Sequence, residues 1–292
     1  MLEVKHLSKS FEDQLVLNDC NFVVKDSTIV GLVGSNGAGK STLLKCIQGI
    51  YDFDGEIAFD GELVKENNKA KAKIFMISDT QWFPMNATIE SMKNFYKSIY
   101  IFDNELFEHY VKTFKLDTTK KINELSKGTI RLVSIAYALA IQPKLLLIDE
   151  VFDGLDPKIR KIFKDCLIKE MDELEMSVIV SSHALRELED ICDEFIFLDK
   201  TIYTQGSVQD LKQNYCKLQV ISDDMDNIKL ILKEENILSF KSFGKVSVIV
   251  SKYNKNQVIE MMEELKPLFY ECLSISFEEY YMLIEKEEDN DK

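Results

Sequence analysis

Arginine is nearly missing from this chain. Arg131, Arg160 and Arg186 are the only ones among 36 basic residues, and acidic residues number 50, for a formal net charge of −14. That balance argues against a nucleic-acid surface, because duplex binding rests on basic patches that neutralise many phosphates. Paired cysteines are missing as well. Cys20, Cys46, Cys166, Cys192, Cys216 and Cys272 include no C-x-x-C, so neither a zinc site nor a disulfide framework is expected. They read as small apolar filler in a reducing cytosol. No apolar run approaches the length of a membrane span, and Met1-Leu2-Glu3-Val4-Lys5 has no mark of a signal or transit peptide. Any membrane role is therefore expected to need another subunit. Histidine is confined to His6, His109 and His183, and Trp82 is the only tryptophan. What remains is an ordinary globular composition, 46% hydrophobic and 29% charged over 292 residues, enough for one large core and a small second domain.

Against that background one stretch stands out. Gly34-Ser35-Asn36-Gly37-Ala38-Gly39-Lys40-Ser41-Thr42 reads G-x-x-x-x-G-K-S-T. The apolar, β-branched run 28–33 before it predicts a buried parallel strand, and 41–48 after it has helical spacing closed by Gly49. A loop between a strand and a helix N-terminus offers free N–H groups and the positive end of the helix dipole to an anion. Gly37 and Gly39 allow the main chain to wrap closely around phosphate oxygens. Lys40 is placed to reach the β- and γ-phosphates and the Ser41 hydroxyl to ligate magnesium. The expectation is a nucleoside triphosphate with Mg2+.

Taken in order, residues 2–24 predict two strands joined at Glu12-Asp13-Gln14, an antiparallel wing that the hairpin 55–64 would extend. Phe11, beside the turn, is placed either to stack on a base or to pack the hairpin. Residues 67–73 read as a polar loop and 74–77 as a buried strand ending at Ser78-Asp79-Thr80-Gln81. From 88 to about 143 the spacing is helical, with Trp82-Phe83-Pro84-Met85 just before it as either partner contact or internal packing. Ser126 precedes a helix at 130–141 and serves either as a plain N-cap or as part of a second anion site. The strand Leu145-Leu146-Leu147-Ile148 delivers Asp149 and Glu150 to its C-terminal edge, where ligands sit in an open α/β sheet. Neighbouring strand side chains point opposite ways, so one acid can hold the magnesium shell while the other faces the γ-phosphate and a water. The turn Gly154-Leu155-Asp156-Pro157 opens a helix at 158–174. Strand 177–180 then leads to His183, a helix at 184–191 and a last core strand at 195–198.

This series of pieces resembles the ATPase subunit of ABC transporters over about residues 1–215. The fold class implied is α/β: a P-loop NTPase core of the ABC ATPase type with an antiparallel β wing, a helical insertion at about 86–142 and a small α+β C-terminal domain. The resemblance implies ATP and Mg2+ as ligands. It likens Phe11 to the adenine-stacking aromatic, Lys40, Ser41 and Thr42 to the phosphate and metal grip, and Asp149 to the Walker B metal residue. Glu150 corresponds to the catalytic base, His183 to the γ-phosphate switch, and Asp156 to the turn residue that works across a dimer. Ser126 and Gly128 correspond to the signature that closes on ATP held by the opposite subunit. The metal-probing glutamine falls on Asp79 or Gln81. Lys127 and Thr129 depart from the usual signature, and Val151-Phe152-Asp153 from the usual sequence after the acids, without removing a catalytic group.

The implied partners are a second ATPase subunit, identical or different, and integral membrane permease subunits, which would hold the chain at the cytoplasmic face of the membrane. The short insertion and the C-terminal extension are similar to bacterial exporters with separate membrane chains, and the implied cargo is an amphipathic peptide or antibiotic. An importer ATPase and a soluble ABC-type ATPase are the rival expectations; the latter usually carries two cassettes, coiled coils or basic surfaces. Residues 216–285 are expected to fold strand-helix-strand-strand-helix-strand and a final helix, a ferredoxin-like order for dimer support or ligand sensing, with 286–292 as a frayed acidic tail.

Overall fold

A computed structural model describes the chain apart from Thr80, Asp153, Gly154 and Lys292, and describes no side-chain surroundings for Asp172 or residues 286–291. Gly154 of the expected turn therefore lies outside the described residues. The chain forms two compact units, Met1–Ala184 with Ile191–Gln205, and Leu185–Asp190 with Gly206–Lys292.

In the first unit, β1 (Leu2–Phe11) and β2 (Gln14–Val24) form the expected hairpin, joined by β4 (Asp54–Phe59) and β5 (Glu62–Leu63) in the antiparallel order β2-β1-β4-β5. Leu2, Val4, Leu17, Val24, Ile57 and Phe59 point into one core, as period-two alternation requires. The central sheet contains β3 (Ile29–Val33), β6 (Ile74–Ser78), β7 (Leu145–Asp149), β8 (Ser177–Ser181), β9 (Glu194–Asp199) and β10 (Thr201–Ser207). Its order is β10-β9-β3-β8-β7-β6, and β9-β3, β3-β8, β8-β7 and β7-β6 are parallel. β3, β7 and β8 are buried at every residue. Each of Leu145, Leu146, Leu147 and Ile148 is 0% exposed, a burial worth roughly 1.5–3 kcal/mol per side chain. Register aligns Ile196, Leu32, Ser181, Asp149 and Ser78 in one row at the carboxyl edge. The phosphate loop and the acids therefore leave the same edge, with β8 between their strands.

Helix α1 (Lys40–Ile47) follows β3. The segment expected as a polar loop contains a short helix, α2 (Asn68–Ala72), because Asn67 Oδ1 accepts from the amides of Lys69 and Ala70 at 3.0 and 3.2 Å. The helical insertion comprises α3 (Ile89–Ile99), α4 (Asn104–Thr113), a 3-10 turn at Ile122–Glu124 and α5 (Lys127–Ile141), which starts three residues earlier than its apolar periodicity indicates. Its interior is aromatic. Phe107 stacks on Tyr137 at 5.4 Å, and the Tyr137 hydroxyl donates to the Ile89 carbonyl at 2.6 Å. The Trp82–Met85 cluster divides: Phe83 is buried at 5% exposure, whereas Trp82 is 80% exposed. Helix α6 (Pro157–Leu174) completes this unit. Among the described residues no helix is long and apolar enough to cross a membrane.

The second unit begins earlier than the expected boundary at 216 and includes α7 (Leu185–Glu189), shorter than the expected helix, and α8 (Val208–Asn214). Glu189 accounts for this grouping, since its carboxylate accepts from the Phe277 amide at 2.9 Å and pairs with Lys212 at 3.1 Å. The remainder runs β11 (Cys216–Ile221), α9 (Met225–Leu232), β12 (Ile237–Phe243), β13 (Val246–Ser251), α10 (Lys255–Leu265), β14 (Phe269–Ser274) and α11 (Phe277–Asp291). The sheet order β12-β13-β11-β14, with antiparallel neighbours, interlocks two split βαβ units in a ferredoxin-like arrangement. The last helix continues to Asp291 where a frayed tail was expected from 286, and residues 286–291 contain neither glycine nor proline to stop it.

Candidate functional site

The phosphate loop owes its shape to its glycines. Gly37 has φ +87° and Gly39, the N-cap residue of α1, has φ +104°. A Cβ on Gly39 would lie 2.7 Å from Leu17 Cδ2 and 3.1 Å from the Val16 carbonyl oxygen, so a larger residue would push the Leu17 side chain aside and would be strained at this φ in any case. No side chain caps α1, and its first amides keep their anion-binding capacity. Lys40 is only 5% exposed, and its ammonium donates to the carbonyls of Gly34 at 2.7 Å and Ser35 at 3.0 Å, which holds it against the loop. Ser35, Asn36 and Gly37 are exposed, Gly34, Ala38 and Gly39 buried, and Ser41 and Thr42 half-buried.

The two acids at the end of β7 enter different environments, because the strand stops at Asp149 and the backbone turns at Glu150. Asp149 is buried, and its Oδ1 accepts from the Ser181 hydroxyl at 2.7 Å. Glu150 takes the left-handed backbone conformation, φ +55°, and its Oε1 lies 2.7 Å from His183 Nε2. Asp79 also belongs to this edge. Its amide donates to the Asp149 carbonyl at 3.2 Å and its carboxylate lies 3.9 Å from Arg131. Gln81 turns to the helical layer instead, with Nε2 3.4 Å from the Tyr96 hydroxyl and Oε1 buried without a hydrogen-bond partner.

The other predicted residues stand at exposed helix and strand ends. Ser126 caps α5, accepting from the Thr129 amide at 3.2 Å, and Asp156 caps α6, accepting from the amides of Lys158 and Ile159 at 2.8 and 3.1 Å. Among the described residues no hydrogen bond or ion pair joins Ser126 or Asp156 to the phosphate loop, Asp149 or Glu150. A Cβ added to Gly128 would meet no described residue within 4 Å. Phe11 is 40% exposed, packs edge-on against Tyr51 at 5.1 Å and carries Lys9 Nζ 4.9 Å from its ring centre. Tyr51, Arg131 and Ser181 escaped the sequence reading. Only Ser181 had a local cue, its place in Ser181-Ser182-His183 at a strand end.

The donor chemistry suits magnesium. Ser41 and Asp149 offer only oxygen, the hard donor set that Mg2+ takes, and Mg2+ characteristically completes its shell with phosphates and waters rather than an all-protein cage. Among the described residues no group of three or more His, Cys, Asp or Glu side chains could hold a metal ion by itself.

A glycine-shaped loop between a buried parallel strand and a helix, with carboxylates on the next strand but one at the same edge, defines a P-loop nucleoside triphosphatase. Comparison narrows the class. The ABC transporter family profile matches residues 17–153. The "ABC transporter ATP-binding protein YtrB" of Bacillus subtilis (strain 168) is 30% identical over 285 residues, 97% of this chain and 97% of that protein. The "Methionine import ATP-binding protein MetN" of Clostridium tetani is 30% identical over 225 residues, 72% of this chain and 70% of that protein. Among solved structures, an ATP-binding subunit of an ABC transporter superposes with a TM-score of 0.67 at 28% identity, covering 73% of this chain and 92% of that one. The ADP- and phosphate-bound cassette MJ0796 shares the fold, with a TM-score of 0.62 at 22% identity, over 71% of this chain and 99% of that one. The chain belongs to the ABC transporter ATP-binding proteins, and it is an ATPase.

Proposed function

We propose that this chain is the ATP-hydrolysing subunit of an ABC exporter, acting as one of a pair of cassettes beneath separate membrane-spanning subunits at the cytoplasmic face. The observation that carries the paired arrangement is the division of the expected site within one chain. Lys40, Asp149, Glu150 and His183 gather at the sheet edge, while Ser126, Gly128 and Asp156 remain at exposed helix starts. Gly128 stands in the first turn of α5, and no described residue would lie within 4 Å of a Cβ added there. Close approach of a partner's nucleotide gives that glycine a reason.

In the closed pair the loop amides and Lys40 would cradle the β- and γ-phosphates, and Phe11 would stack on the base. Ser41 and Asp149 would hold Mg2+, with Asp79 beside them. When bound, the metal supplies neutralisation of phosphate charge. Glu150 would orient the attacking water and take its proton, and His183 would hold the γ-phosphate side of the site. Ser126 and the start of α5 would close on the nucleotide of the opposite chain.

The exporter direction and the peptide or antibiotic cargo rest on the resemblance of the insertion and C-terminal extension. Relatives named as methionine import proteins favour import as the second reading. Purifying the chain with its membrane partner and reconstituting both in vesicles, with ATP supplied only on the cassette side, tests the proposal. Cargo should move away from the cassette side; movement toward it makes the chain an importer subunit. The absence of any membrane-spanning partner would overturn both readings in favour of a soluble ATPase.

A further inference from the structure

We infer that Ser181 is a positioning residue that sets the geometry of Asp149 and Glu150 together. The inference rests on the reading above, in which Asp149 holds the metal and Glu150 receives the water proton. Ser181 is the last residue of β8, is 0% exposed, and stands in register between Leu32 of β3 and Asp149 of β7. Its hydroxyl donates to Asp149 Oδ1 at 2.7 Å. The same hydroxyl oxygen accepts from the Glu150 amide at 3.3 Å, and the Ser181 carbonyl accepts from that amide at 3.1 Å. One side chain therefore forms a directed chain from the Glu150 N–H, through Ser181 O–H, to the Asp149 carboxylate.

Two consequences follow for the reaction. The serine anchors Oδ1 of Asp149, and no hydrogen bond among the described residues engages Oδ2, which is left for a metal. At Glu150 the chain turns into the left-handed region, φ +55°, which side-chain-bearing residues rarely adopt. The backbone carbonyl of Ser181 and, at the longer distance, its hydroxyl both support that turn, the hydroxyl being the side chain's share, and the Glu150 side chain that leaves it reaches His183 at 2.7 Å. A serine that merely satisfied a buried carboxylate would bond Asp149 and leave the Glu150 amide alone. Partners that orient metal ligands typically change metal affinity or activity by about 10- to 100-fold when removed.

The experiment compares Ser181→Ala, Ser181→Cys and Ser181→Thr with the parent full-length chain, and includes Asp149→Asn and Glu150→Gln. Three quantities are read: kcat and KM for ATP, the Mg2+ concentration for half-maximal hydrolysis, and the ratio of ATP dissociation constants in EDTA and in Mg2+. Ser181→Ala should lower kcat about 10- to 100-fold and shift the Mg2+ midpoint upward. It should shrink the EDTA-to-Mg2+ affinity ratio without changing ATP affinity in EDTA. Ser181→Cys keeps nearly the same volume with a weak donor and should behave like alanine, which covers the case in which alanine does not fold. Ser181→Thr keeps the hydroxyl and should recover most of the loss. A parental Mg2+ midpoint and affinity ratio in folded Ala or Cys variants overturns the inference. If Asp149→Asn also leaves the Mg2+ response unchanged, or Glu150→Gln leaves turnover unchanged, the assignment of the acids fails instead.

Discussion

His183 Nε2 lies 2.7 Å from Glu150 Oε1, joining the residue that follows β7 to one just beyond β8. The acid proposed to receive the water proton is thus already tethered to the side chain proposed to hold the γ-phosphate. Substitution at Glu150 separates binding from chemistry. Glu150→Gln keeps the shape and a hydrogen-bonding group for His183, so ATP should bind as in the parent while phosphate release falls about 10²- to 10⁴-fold. Size-exclusion chromatography with ATP should show a lasting dimer; near-parental turnover would remove Glu150 as the base.

Lys40→Ala removes a buried ammonium and leaves the Gly34 and Ser35 carbonyls without its hydrogen bonds. Loss of a charge-assisted contact to phosphate should weaken ATP binding by about 1.5–3 kcal/mol, measured by calorimetry. Mixed with Ser126→Arg protein, this variant should regain hydrolysis, because each mixed dimer contains one intact site. No recovery at any ratio, once mixed dimers are shown to form, would count against head-to-tail pairing.

Trp82 and Phe83 are neighbours with opposite surroundings, 80% and 5% exposed. Trp82→Ala should keep the parental melting temperature and ATP affinity yet lose on the order of 2 kcal/mol of docking to the membrane partner, as central aromatic anchors do. Phe83→Ala should instead lower stability by about 3–5 kcal/mol, the cost of emptying a buried aromatic site. A Trp82 variant that melts early would make that residue part of the core.

Burial pushes the thiols of Cys20 up to about 11 and of Cys46 up to about 12. A higher pKa leaves less thiolate at any pH below it, and the thiolate is the reactive form. Alkylation at pH 8 should therefore leave Cys46, six residues after the loop lysine, unmodified in the folded chain and modify it in denaturant. Rapid labelling of native Cys46 with loss of ATP binding would contradict this.

The loop and the β7 acids were legible because their chemistry is written in consecutive residues and the flanking strands are apolar throughout. Ser181 was not, since its partners Asp149 and Glu150 meet it only through the β7–β8 register, which local periodicity cannot encode. Asp79 and Gln81, two residues apart, were indistinguishable as letters; backbone pairing brings Asp79 to Asp149 and side-chain packing takes Gln81 to Tyr96. The helix α2 was too short to show a helical period, and its decisive signal was the Asn67 cap. The early end of the first unit was hidden for a similar reason, because Glu189 finds its partners far along the chain.

The chain enters the second unit at Leu185, returns at Ile191 and leaves again at Gly206, so the ATPase unit cannot be excised as one uninterrupted segment. Cutting after Gln205 would remove Phe277 and Lys212 from Glu189, and Glu278 from Arg186, which it meets at 3.3 Å. The peptide stripped of its packing would begin two residues after His183. A truncated cassette would thus carry its histidine next to an orphaned segment, and kinetic differences between it and the full chain would report that damage as well as any regulatory role of the missing part.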